Sequence, residues 1–140
     1  MGASKRLKLI VLIMILILLV LTLLGVFLYD IIYARRVTEE LTAVVHVFHR
    51  GEDVYIEGHR VIGTIRIDKL GIEYPIIEYV DANSLNIAIN KYIGPNINEL
   101  GNVSLLGHNM RSGLFFSRIN GLENGDIVKL TGDSRNYDTI

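Results

Sequence analysis

The sequence predicts a mainly β fold, an incomplete barrel with short helices, preceded by one N-terminal transmembrane helix. Three observations carry this expectation. An uncharged apolar run lies near the N-terminus, the texture changes from Val61 onward to short β-branched runs punctuated by glycine, and a chain of 140 residues allows one small domain at most.

The apolar run from Leu9 to Tyr29, LIVLIMILILLVLTLLGVFLY, carries no charge and would be roughly 32 Å long as a helix, enough to span a bilayer. Thr22 and Gly25 are its only weakly apolar members, and a helix tolerates both because its backbone polar groups are satisfied internally. A secretory signal peptide is the competing reading. Against it, the run exceeds the usual apolar region of about 7 to 15 residues, and no small-residue cleavage pair follows. Lys5, Arg6 and Lys8 precede the run, whereas Asp30 adjoins its far end and Arg35 and Arg36 are offset by Glu39 and Glu40. The basic side is therefore expected in the cytoplasm, giving a basic tail over 1–8, a signal anchor over 9–29 and an exterior part from residue 30 onward.

Residues 30–60 read as a stalk and an N-terminal helix. Ile31, Ile32, Leu41, Val44, Val45, Val47 and Phe48 are spaced more like a helix than a strand, Thr38 with Glu39 and Glu40 offers a start signal, and Gly51 a stop. From Val61, VIGTIRI alternates, DKLG turns and IEYPII runs on, which predicts two strands joined by a tight loop. Pro75 lacks a donor N–H, so the second strand is expected to be an edge or bulged there. Ala82 to Tyr92 predicts a short helix ended by Gly94-Pro95, GNVSLLGHN a strand leading to His108, SGLFFSRING a helix or turn packing Phe115, Phe116 and Ile119, and GDIVKLTG a further strand. The exterior part is short for a closed barrel and stops at Thr139-Ile140, soon after a turn signal at Gly132-Asp133-Ser134. The expectation for residues 61–140 is thus a partial domain lacking its C-terminal strands, from an N-terminal fragment or a truncated reading frame.

Composition excludes several chemistries. The net charge is -1, and the basic residues at the N-terminus leave the exterior part acidic, which does not supply the basic face that nucleic-acid binding needs. No cysteine is present, so a disulfide scaffold, a thiolate zinc site and a cysteine nucleophile are excluded within these residues. No P-loop spacing occurs, and Ser104, Ser112 and Ser117 lie in no G-x-S-x-G elbow. Glu52, Asp53 and Glu57 lack the calcium-loop spacing. His46 and His49 stand three apart, with His59 ten further on; two such imidazoles can share a metal, but no third ligand stands at a recognisable spacing, and a solvated helix face is the favoured reading. No cofactor and no metal are expected. His108 is the candidate catalytic residue: it follows an apolar strand through Gly107, with small neighbours that leave the ring approachable, and imidazole titrates near neutrality. The bland alternative is a surface-loop histidine.

The signal anchor, GTIRIDKLGIEYPI (Gly63 to Ile76), GNVSLLGHN (Gly101 to Asn109) and FFSRINGLENGDIVKL (Phe115 to Leu130) together resemble, in order, the N-terminal half of a sortase, the cysteine transpeptidase of Gram-positive surfaces. Asp68 departs slightly, a proline being common there, and Asn109, Met110 and the Phe115-Phe116 pair look most like the class B branch. The resemblance implies an eight-stranded barrel and a reaction in which a cysteine thiolate attacks a C-terminal sorting signal, giving a thioacyl intermediate resolved by a cell-wall or pilin amine. Of the family's histidine, cysteine and arginine, the histidine alone maps here, onto His108, as the acid that protonates the leaving amine and the base that deprotonates the incoming one. Arg111, Arg118 and Arg135 occupy no matching motif. The expected partners are surface proteins bearing a sorting signal, the acceptor amine and the membrane. The resemblance makes the function that of a membrane-anchored sortase whose nucleophile is missing from these residues; the alternative is a noncatalytic truncated paralogue acting as a membrane-tethered binding or regulatory module.

Overall fold

The N-terminal third of the chain folds as one helix, α1 (Ala3–His49). The computed structural model describes residues 2–133 of the 140. At about 1.5 Å per residue, α1 is roughly 70 Å long. Its first half is exposed all round, and this apolar part is long enough to cross a membrane, a property that anchors and signal sequences share. Its last turns carry a buried stripe, Leu41, Val45 and Phe48, with Ala34 and Val37 packed partly against the same core. That three-and-four spacing lays one helix face on the domain. The helix runs through Thr38 without a break: the Thr38 hydroxyl donates to the Ala34 carbonyl one turn back (2.9 Å) rather than to a free N–H ahead of it. It ends at His49, with Gly51 at φ +83° just beyond.

A six-stranded sheet follows, built from β1 (Tyr55–Ile56), β2 (His59–Ile67), β3 (Ile72–Ile77), β4 (Ile89–Ile93), β5 (Ser104–Leu106) and β6 (Lys129–Gly132). The order is β1-β2-β3-β4-β5, with β6 also on β2. β2 and β3 form the expected hairpin, with Ile65 opposite Tyr74, around a 3-10 turn at Asp68–Leu70 closed by Gly71 at φ +63°. β4 runs parallel to β3, and the crossover between them holds α2 (Ser84–Ile87). The Asp81 carboxylate starts that turn by accepting from the N–H groups of Asn83 (2.9 Å) and Ser84 (2.7 Å). Tyr74, Ile76, Ile89, Leu114 and Phe115 are the centre of the core between strands and loops.

Two expectations are corrected. The fold is mixed α/β with an open sheet, not a mainly β incomplete barrel: α1 alone spans 47 residues, and β5 and β6 stand at opposite ends without meeting. Closing a barrel of this kind takes about eight tilted strands, whereas β1 has two residues and β5 three. The helix expected over Ala82 to Tyr92 is one turn, followed by β4, because Ile89 and Asn90 are drawn into the interior between β3 and β5. At Pro75 the strand is paired with Thr64 of β2, and β4 joins only from Ile76 onward, so Pro75 lies on an edge on that side alone. The irregularity falls in β2, between Val61 and Gly63.

Candidate active site

His108 emerges two residues beyond β5, and its position is fixed by what surrounds Gly107. A Cβ at Gly107 would meet Ile89 Cδ1 at 2.5 Å and Phe116 Cδ2 at 2.8 Å. A side chain there would have to push both of these side chains aside, and glycine lets the strand end pass this close to the core without that shift. The next residues fold back on themselves. The His108 carbonyl accepts from the Phe116 N–H (3.1 Å), Asn109 bridges to Phe115, and the Met110 carbonyl accepts from the Gly113 N–H (3.0 Å). The Ser117 hydroxyl accepts from the Met110 N–H (2.6 Å) and donates to the Leu114 carbonyl.

Phe115 anchors this loop. It is fully buried, its ring lies 5.6 Å from that of Tyr74 at 54°, and its backbone adopts φ +52°. A bulky residue in the left-handed region is an outlier that persists only where the surroundings over-determine it; here burial and the bridge to Asn109 do so. His108 itself is half-buried, and among the described residues no partner holds its imidazole. Backbone contacts thus fix the main chain at His108, and its ring makes no hydrogen bond to a described residue.

The other sequence-derived candidates are dispersed. His46 is exposed, the His49 ring lies 3.2 Å from the Thr64 hydroxyl, and His59 lies 3.7 Å from Asp81. Among the described residues no three His, Asp or Glu side chains come together as a metal site. The Asp81 carboxyl is held below its ordinary value by the Ser84 backbone N–H, with further help from the Asn83 N–H and His59. Glu52 pairs with Arg50 (3.4 Å). Arg118 donates to the Gly113 carbonyl (3.4 Å), Arg111 is exposed, and Arg135 lies outside the described residues, as do Ser134, Thr139 and Ile140.

Two features escape sequence reasoning. Asn90 looks like a solvated residue in INKY, yet it is fully buried, its amide donating to the Ser84 and Ala88 carbonyls while its own Oδ1 is left without a partner. A cavity of about 290 Å³ also separates the Arg111-Ser112 loop from α1 around Phe27 and Asp30. No signal in the sequence joins segments so far apart.

No curated protein matches the chain. Among solved structures, it is similar to the Sortase D5 transpeptidase of Clostridium perfringens, with 30% identity and a TM-score of 0.47 over 53% of this chain and 48% of that one. The chain therefore spans about half the length of that relative. The family model for the sortase domain matches residues 65–139, more than half of the sequence and the stretch that holds β3, β4, β5, β6 and His108. By that match the chain belongs to the sortase family.

Proposed function

We propose that this chain is the histidine-bearing part of a membrane-anchored sortase acting outside the cell membrane. In this reading residues 1–8 are a cytoplasmic tail, 9–29 the anchor, 30–60 the stalk and helix, and 61–140 part of the catalytic domain. The observation that carries it is His108, held by its backbone at the end of β5 with a half-buried ring that no described residue occupies. As general acid, His108 protonates the amine leaving a cleaved C-terminal sorting signal; as base, it takes the proton from the cell-wall or pilin amine that resolves the thioacyl intermediate. The thiolate for that intermediate is not among these 140 residues, which contain no cysteine. The 140-residue polypeptide alone is therefore inactive.

The same absence favours a second reading, a noncatalytic membrane-tethered module of sortase ancestry. The test compares two samples incubated with a sorting-signal peptide and an amine. The 140-residue chain is expected to form no thioester. The native membrane protein, captured through a peptide around His108, is expected to exceed 15.7 kDa and to give the transpeptidation product. A native mass of 15.7 kDa with no product selects the noncatalytic module.

A further inference from the structure

The loop after His108 meets α1 at one particular height along the helix. The cavity between them has a helix wall that runs from Leu23 past Phe27 to Ile31, and Arg111 faces that wall from the loop. Leu23 to Ile31 covers about 12 Å of helix and straddles the end of the uncharged run at Tyr29. Tyr29 stacks with Tyr33 one turn on, both exposed, in the manner of aromatic residues at a membrane–water boundary. The hydrocarbon of a bilayer is about 30 Å thick, and each headgroup layer adds about 5 to 8 Å. A helical run that enters the hydrocarbon at Leu9 therefore reaches the outer headgroups in the turn after Phe27, inside the stretch that the loop faces.

The loop brings positive charge to that height. Arg111 is exposed and forms no ion pair with a described residue. Arg118, also exposed and outside any such pair, lies against the same turn, its Nε donating to the Gly113 carbonyl (3.4 Å). Asp30, partly buried on the helix side, is the one acidic residue that lines the cavity. Two guanidinium groups level with lipid phosphates suit an anionic surface, because Arg pairs with phosphate through parallel N–H bonds and a basic side chain close to anionic lipid is attracted to it. The rest of the exterior part is acidic, so the charge of this loop is local to it.

We propose that the turn from Met110 to Gly113, with Arg118 against it, is a membrane-contact surface that rests on anionic headgroups of the outer leaflet beside the anchor, held there by Arg111 and Arg118. His108 is three residues before Arg111, so its Cα lies within about 11 Å of that of Arg111. The candidate catalytic histidine then stands at the lipid surface rather than on the solvent side of the domain. The inference rests on the anchoring reading above, and its test separates the two.

The chain has no cysteine, so a single one can be introduced to carry a fluorophore. The full chain with Asn109→Cys, an exposed position beside His108, is reconstituted in vesicles of phosphatidylcholine and phosphatidylglycerol that hold a nitroxide quencher on the lipid headgroup or deep in the acyl chain. Leu18→Cys, within the apolar run, and Glu52→Cys, beyond the end of α1, are the references. The headgroup quencher is expected to dim Asn109→Cys several-fold more than Glu52→Cys, and joint exchange of Arg111→Gln and Arg118→Gln is expected to remove most of that difference. Quenching no greater than at Glu52→Cys, or unchanged by the arginine exchange, overturns the membrane-contact surface; the anchor stands as long as the deep quencher dims Leu18→Cys. A Leu18→Cys probe that the deep quencher leaves bright overturns the anchor and the surface together.

Discussion

Gly107 and Gly63 are both closely packed, and the difference in what they touch predicts a difference in tolerance. At Gly107 an added methyl meets side-chain atoms of Ile89 and Phe116, which can yield; Gly107→Ala is expected to cost about 1 kcal/mol, the lower end of overpacking. At Gly63 the methyl lies 2.6 Å from the Thr131 carbonyl oxygen, a backbone atom that moves only with β6. Gly63→Ala is expected to cost about 3 kcal/mol or more, and urea unfolding of the detergent-solubilised chain checks the order. Equal midpoint shifts would mean that β6 is not held against β2 as described. The sequence made His108 visible through its small neighbours, Gly107 and Asn109. It did not reveal that Gly107 is small because Ile89 and Phe116 press on it, since both arrive from other parts of the chain.

Among elements, α1 is the one whose docking can be tested without touching the sheet. Leu41→Ala removes a buried side chain from the stripe facing the domain and is expected to destabilise by about 2 to 5 kcal/mol, whereas His46→Ala, exposed one turn on, is expected to stay within about 0.5 kcal/mol. Equal effects in thermal unfolding would contradict the docked face. The loop before β6 gives a pH prediction. Lys69 donates to Asp126 (2.8 Å) and Glu123 (2.9 Å), and the Glu123 N–H also donates to Asp126 (2.7 Å). Lys69 first, and that N–H second, hold the Asp126 carboxyl below its ordinary value. Because the folded value is depressed, its contribution is complete above the unfolded carboxylate range and is lost as pH falls through the folded value. Asp126→Asn is expected to lower stability at pH 7 and to flatten the acid limb of the stability curve; an unchanged limb would contradict the contact. The β2–β3 hairpin was legible because VIGTIRI alternates, DKLG turns at a glycine and IEYPII runs on as a second apolar stretch. The segment from Ala82 to Tyr92 was not, because pairing of Ile89 with Ile76 and burial of Asn90 override a locally helical pattern. The continuity of α1 was hidden by Thr38, a good cap by type whose hydroxyl is spent on the turn behind it.

Across the whole molecule, the open sheet has a consequence of its own. One edge of β5, beside the loop that carries His108, is unpaired among the described residues, and such an edge is a template for another strand. The solubilised 140-residue chain is therefore expected to self-associate in sedimentation velocity, and a monodisperse monomer would count against an exposed edge. Family membership was legible because three ordered motif blocks survive in the sequence; the mixed, open architecture was not, because it depends on how much of the chain α1 takes up and on which strands meet. The most direct measurement is transpeptidation of a sorting-signal peptide by the native membrane protein and its His108→Ala variant. Loss of about 10²- to 10⁴-fold in rate, with the peptide still bound, is the predicted result. A variant as active as the wild type would contradict the role given to His108, and a wild-type protein that forms no product would contradict the sortase activity itself.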